Sequence, residues 1–322
     1  MYTVAVTDYT FDSLDVEQAA LEPLGCRLVG QKTGKDPAQL AALVQDADFV
    51  ITQFAPVNAE VIGAMRKARV IVRYGIGVDN VDLKAAADKG IPVCNVPDYC
   101  IDEVADHALA MILDLTRRIT SNALKVRSGG WGLAAPLQAM RALKHLTVGV
   151  VGFGRIGSEV AGRLKAFKCQ VLVFDPAVEP SRIQAAGLTP AGLDELLRRS
   201  DLVTLHCPSN EKTRHMIDAH AISTMKNGAL LVNTSRGTLV KTDDLIAALQ
   251  TGRIAAAALD VADPEPVPPD SPLLKMDNVI ITSHIASASP QAAHNLRAQV
   301  AETVAIAVRG GKLPNVVNGV GI

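Results

Sequence analysis

Val148-Gly149-Val150-Val151-Gly152-Phe153-Gly154-Arg155-Ile156-Gly157 is the stretch that decides the fold. Its apolar start reads as a buried strand, and three glycines in the spacing GxGxxG lead from it into a helix ending near Ala166. In such a strand–turn–helix unit the first glycine permits the tight turn. The second lets the backbone approach a pyrophosphate, and the third lets helix and strand pack closely. The helix N-terminus then offers amide donors and the positive end of its dipole to phosphate. The next apolar run, Val171–Phe174, ends at Asp175, where a carboxylate can hydrogen-bond an adenosine ribose. Its charge would repel a 2′-phosphate, and no arginine follows it directly (Asp175-Pro-Ala-Val-Glu), so NAD is expected rather than NADP.

Further apolar runs at Leu202–Leu205, Leu230–Val232, Ala255–Leu259 and Val279–Ile281 join Thr147–Val151 and Val171–Phe174 to give a six-strand series. Helical segments separate most of them, as a doubly wound nucleotide-binding sheet requires. Upstream, Val4–Val6, Phe49–Thr52 and Val70–Val72 read as strands, with helical stretches at about 37–45, 58–68 and 81–89. Between the two series Cys100–Arg127 reads as one long helix, with Val104, Leu109, Ile112, Leu115 and Ile119 at helical spacing. Pro97, just before it, places a hinge near 97–100. Ser289–Arg309 is a second long helical pattern, able to cross back to the first domain and leave that domain discontinuous.

A chain of 322 residues exceeds the roughly 100–200 of one domain, which agrees with two series. Charged residues make up 20% of it and the net charge is −1 without basic runs, so neither nucleic acid nor an anionic membrane is an expected partner. The five cysteines are odd in number and scattered, which points to reduced thiols and a cytoplasmic protein. The N-terminal residues read as a first strand, not a signal peptide, and no apolar stretch approaches the ~20 residues of a membrane span. His215 and His220 do not share a helix face, and no metal site is expected.

With a nicotinamide in place, hydride transfer at a carbonyl carbon still needs a cation for the substrate, a proton donor for the oxygen and a group that tunes that donor. Three successive strand ends offer these residue types. Arg236 follows Leu231-Val-Asn-Thr-Ser, Glu265 lies in the proline-rich loop after Ala257-Ala-Leu-Asp260, and His284 follows Ile280-Ile-Thr-Ser. Singly each is ordinary: a surface cation, a solvated acid, a packed histidine. Together, on one edge of a parallel sheet, they make a catalytic set. His107, inside a helical pattern, is expected to be structural, and Trp131 to pack.

The chain resembles the D-isomer-specific 2-hydroxyacid dehydrogenases over nearly its whole length. The resemblance rests on Arg73-Tyr-Gly-Ile-Gly-Val-Asp79-Asn-Val-Asp82, the glycine loop, Asn233-Thr-Ser-Arg236-Gly, Leu259-Asp260-Val with Glu265-Pro, and Ser283-His284. Within the family it is similar to the C-terminal binding protein and phosphoglycerate dehydrogenase-like group. It implies an α/β architecture of two Rossmann-like doubly wound domains. It implies too that an NAD-binding domain (100–289) is inserted into a discontinuous, flavodoxin-like substrate domain (1–99 and 290–322), and that the protein is a homodimer. It implies that Arg236 binds the carboxylate of a small 2-keto or 2-hydroxy acid and polarises its carbonyl, that His284 is the general acid/base, and that Glu265 favours the charged imidazole. Ile76 and Gly77 amides would hold the carboxylate, with Arg73 nearby. Cofactor contacts would come from Gly152, Gly154, Arg155, Ile156, Gly157, Asp175, His206, Cys207, Pro208, Thr213, Thr234, Ser235 and Asp260. A glutamate at 265 speaks against formate dehydrogenase chemistry, since those relatives carry glutamine there. The alternative function is an NAD(H)-sensing co-repressor with little turnover.

Overall fold

Alternate residues of the first strand, β1 (Tyr2–Val6), enter two different cores. Val4 and Val6 pack with Phe49, Ile51, Val72 and Tyr74, whereas Ala5 packs with Leu40, Val50, Val61 and Ile71. A strand buried on both faces needs helices on both, which is the condition that a parallel sheet with crossover helices meets. The computed structural model describes residues 1–32, 34 and 36–321, and these form two compact units, Met1–Tyr99 with Ser289–Ile322 and Cys100–Ala288.

In the first unit β1 is joined by β2 (Cys26–Gly30), β3 (Phe49–Thr52), β4 (Ile71–Arg73) and β5 (Val93–Cys94), with helices α1 (Asp15–Leu21), α2 (Pro37–Val44), α3 (Ala59–Ala64) and α4 (Leu83–Asp88) between them. All pairings are parallel and the order is β2-β1-β3-β4-β5, the flavodoxin-like arrangement. Two strands had no clear sequence signal. β2 is a half-exposed edge strand containing Arg27, and β5 has only two residues.

The second unit opens with α5 (Ile101–Arg117) and α6 (Ile119–Arg127). The single helix expected over Cys100–Arg127 is therefore broken. Arg118 turns left-handed (φ 53°), and the Asp114 side chain takes the amide of Thr120 at 2.9 Å, which stops one helix and starts the next. Then follow β6 (Thr147–Val151), α7 (Arg155–Ala166), β7 (Gln170–Phe174), α8 (Pro180–Ala185), β8 (Thr189–Pro190), α9 (Leu193–Arg199) and β9 (Leu202–Leu205). The remaining elements are α10 (Ala219–Thr224), β10 (Ala229–Asn233), α11 (Thr242–Gln250), β11 (Ile254–Leu259) and β12 (Val279–Ile281). The sheet has seven strands among the described residues, ordered β12-β11-β10-β9-β6-β7-β8, one more than expected. The extra strand, β8, is a two-residue edge with a proline, which carries no strand periodicity. The chain order reverses between β6 and β9, beside the glycine loop, and such switch points are where doubly wound sheets take ligands.

The last helix, α12 (Pro290–Val308), belongs to the first unit, where Leu296, Val300 and Val304 join the core of β1 and β3. A buried ion pair fixes it. Glu17 on α1 is fully buried, accepts the Tyr74 hydroxyl at 2.8 Å, and takes a bifurcated hydrogen bond from the Arg297 Nε and another, at 2.7 Å, from its Nη2. Burial and the adjacent Glu17 push the Tyr74 phenol well above its usual range, so it serves as a donor throughout. Removing one partner of such a pair strands the other charge in the core. Arg297→Met should lower the stability of this unit by about 3 kcal/mol or more, read from urea unfolding.

Candidate active site

The Val148–Val151 strand delivers the glycine loop at the switch point, and the glycines differ in what they do there. At Gly157 a Cβ would lie 2.1 Å from the Gly152 carbonyl oxygen, so the residue is required for helix α7 to lie against the loop. Gly154 is different: it caps α7 in an extended conformation, and a Cβ there would meet nothing within 4 Å. The protein's own packing does not demand glycine at this position. Glycine there leaves the start of α7 open for a phosphate to approach its amides, and the loop fits a dinucleotide pyrophosphate. A cavity of about 640 Å³ adjoins it, lined by Phe153, Gly154, Arg155, Asp175, Ala177, Val178 and Arg182, among others. The Asp175 carboxylate accepts the amides of Phe153 (2.7 Å) and Ala177 (2.9 Å), which fixes it at the mouth of β7. Arg182 is a cavity cation that sequence reading missed, because α8 brings back a residue beyond the segment directly after Asp175.

The other expected cofactor residues lie on loops after β9, β10 and β11. His206 turns its ring inward: Nε2 is 2.8 Å from Thr204 Oγ1, Nδ1 is buried, and burial pushes its pKa down to about 3. It is thus neutral and can offer a ligand only its backbone. Burial pushes the Cys207 thiol up to about 11, which keeps it protonated. Thr213 ties its loop together by donating to the Pro208 carbonyl at 2.7 Å. Ser235 donates to the Leu205 carbonyl at 2.9 Å, and the Thr234 hydroxyl is buried without a partner among the described residues, which leaves it a donor for a bound group. Ile156 and Gly157 lie in the first turn of α7.

The catalytic candidates sit one per loop after β10, β11 and β12. Asn233, fully buried at the end of β10, holds the Arg236 turn, accepting from the Ser235 amide at 3.0 Å and donating to the Arg236 carbonyl at 2.8 Å. A Cβ at Gly237 would fall 1.9 Å from the Ala262 carbonyl oxygen, so only glycine lets the Arg236 turn and the Glu265 loop approach this closely. Glu265 Oε2 lies 3.1 Å from His284 Nδ1, with the side chains 41% and 33% exposed, open enough to be reached by a substrate. Burial raises the Glu265 pKa, but the hydrogen bond from His284 and the charges of His284 and Arg236 outweigh it, and the carboxyl rests below its ordinary value. The structure thus brings His284, Glu265 and the Arg236 charge together. The Asp260 carboxylate is occupied by its own chain, a role sequence reading did not foresee, as are the supports from Asn233 and Gly237.

In the first unit, taken by itself, Arg73 ends β4 nine-tenths buried, its guanidinium 5.7 Å from the centre of the Phe54 ring. The amides of Ile76 and Gly77 have no acceptor among the described residues. Trp131 is 86% exposed, not packed as expected.

A family model described as D-isomer specific 2-hydroxyacid dehydrogenase, NAD binding domain, matches residues 109–286. Glyoxylate reductase from Korarchaeum cryptofilum is 40% identical over 278 residues, 85% of this chain and 84% of that protein. D-3-phosphoglycerate dehydrogenase from Archaeoglobus fulgidus is 38% identical over 89% of this chain, which spans only 54% of that longer protein. Among solved structures, D-lactate dehydrogenase from Aquifex aeolicus, complexed with NAD and lactic acid, matches with a TM-score of 0.86 and 32% identity, covering 95% of this chain and 96% of that one.

The open space at Gly154 yields a clean expectation. Gly154→Ala should leave the melting temperature of the ligand-free protein unchanged while weakening NADH binding at least about tenfold, measured by fluorescence titration; Gly157→Ala should destabilise the protein itself.

Proposed function

The chain belongs to the D-isomer specific 2-hydroxyacid dehydrogenase family, and on that premise we propose that it interconverts a short 2-keto acid and the corresponding D-2-hydroxy acid with NAD. The observation that carries this reading is the His284–Glu265 pair, 3.1 Å apart on adjoining strand-end loops, with the Arg236 charge beside it. When bound, NADH supplies the hydride for the carbonyl carbon. Arg236 holds the substrate carboxylate and draws electron density from the carbonyl. His284 Nδ1 is engaged by Glu265, so Nε2 is the atom that gives a proton to the alkoxide oxygen in reduction and takes it back in oxidation. Glu265 stays ionised and balances the imidazolium before that transfer. The names of the relatives support turnover over the co-repressor reading.

For the cofactor, the amides of Arg155, Ile156 and Gly157 would hold the pyrophosphate and Asp175 would meet the ribose, which supports NAD; Arg182 in the same cavity tempers the preference against NADP. A homodimer is supported by the exposed apolar side chains Ile119, Leu124, Val126, Trp131, Leu133 and Leu137, which fall within one stretch of 19 residues and which a second copy could cover. Cytoplasmic residence is supported by the five free cysteines, three of them buried.

His284→Ala should lower kcat roughly 10²- to 10⁴-fold while NADH still binds; retained turnover overturns the assignment. A panel of glyoxylate, pyruvate, hydroxypyruvate and longer 2-keto acids at fixed NADH identifies the substrate. Asp175→Ser should shift the ratio of kcat/KM for NADH over NADPH at least about tenfold towards NADPH.

A further inference from the structure

A line of polar groups, buried at its centre and partly exposed at His107 and Thr282, runs from the middle of α5 to the backbone that carries His284. Its centre is Asp260, whose side chain is 1% exposed. Oδ1 accepts the Thr282 hydroxyl at 2.6 Å and the Ile285 amide at 2.9 Å, and Oδ2 accepts the Ala286 amide at 2.9 Å. The Asp260 carbonyl accepts the His284 amide at 2.8 Å. One residue thus grips three consecutive amides of the loop. The grip matters because His284 stands at φ 56°, a left-handed conformation that costs a residue with a side chain and that its surroundings support.

His107 on α5 completes the line, its Nε2 3.2 Å from Thr282 Oγ1 and 3.7 Å from Asp260 Oδ1. Hydrogen accounting fixes its role. Thr282 has one hydroxyl hydrogen, and at 2.6 Å it goes to Asp260, an acceptor already receiving two amides. The Thr282 oxygen must therefore accept at its other contact, so His107 presents Nε2–H. We propose that His107 is a positioning residue for His284: its Nε2–H orients the Thr282 hydroxyl onto Asp260, and Asp260 holds the His284 loop in its strained, productive form. This rests on the reading of His284 as the acid/base.

The test compares His107→Phe, which fills the space without an N–H, with His107→Gln, whose amide N–H reaches the same point; His107→Asn is too short and serves as a second loss variant. Reduction of the best 2-keto acid of the panel by NADH gives one readout. The other is the ring resonance of His284 in ¹⁵N-histidine-labelled, ligand-free protein, assigned by its loss in His284→Ala. The proposal expects kcat to fall roughly 10- to 100-fold in the Phe and Asn variants with KM for NADH unchanged. It also expects the His284 resonance to move in both, and both readouts to return in the Gln variant. Wild-type kcat and an unmoved His284 resonance in His107→Phe overturn it. So does equal impairment of all three variants, which marks His107 as a packing residue. If the wild type reduces no 2-keto acid, the acid/base reading fails, and the resonance alone then decides: movement in Phe with return in Gln supports the positioning line, and indifference overturns it.

Discussion

Parallel strand pairing is the constraint on which the rest depends. In the sheet of the second unit every strand runs the same way, so every strand ends at the same edge and every loop that follows one opens there. The glycine loop after β6, Asp175 after β7, Arg236 after β10, Glu265 after β11 and His284 after β12 share that edge for no other reason. Their side chains need no long-range steering to meet. The two cores supply the rigidity, one on each face, with Val148 and Val150 in one and Val203, Leu205 and Leu231 in the other.

What the edge does not supply is fine placement, and buried polar groups supply it. Asn233 closes the Arg236 turn, Gly237 admits the Glu265 loop, and Asp260 clamps the His284 loop. Each is hidden from solvent or makes a contact that a larger residue would block, and each works on backbone. Glu17 does the same kind of work in the first unit, anchoring α12 through Arg297. Such groups repay their desolvation only when fully hydrogen-bonded, as Asp260 and Glu17 are.

Charge at the site follows from the same arrangement. Glu265 is kept ionised by a histidine and an arginine delivered from neighbouring strands, against a burial that opposes it. His206, one strand further, is neutral because burial acts on it with no carboxylate in contact. Of these two histidines at comparable strand ends, only His284 has a carboxylate in contact.

The sequence by itself determined the doubly wound parallel sheets, through apolar runs and glycine spacing, because those patterns follow local chain geometry. It also located Arg236, Glu265 and His284 after successive strands, since position relative to a strand is a one-dimensional property. It could not reveal β5 or β8, whose two residues are too short for a period, nor the break at Arg118, which an apolar pattern runs straight through. Only the tertiary structure decided that Arg182 returns to the Asp175 cavity, that Trp131 faces water, and that His107 meets Thr282 across 175 positions. Such contacts join elements remote in sequence, and nothing in the spacing of either residue encodes the distance between them.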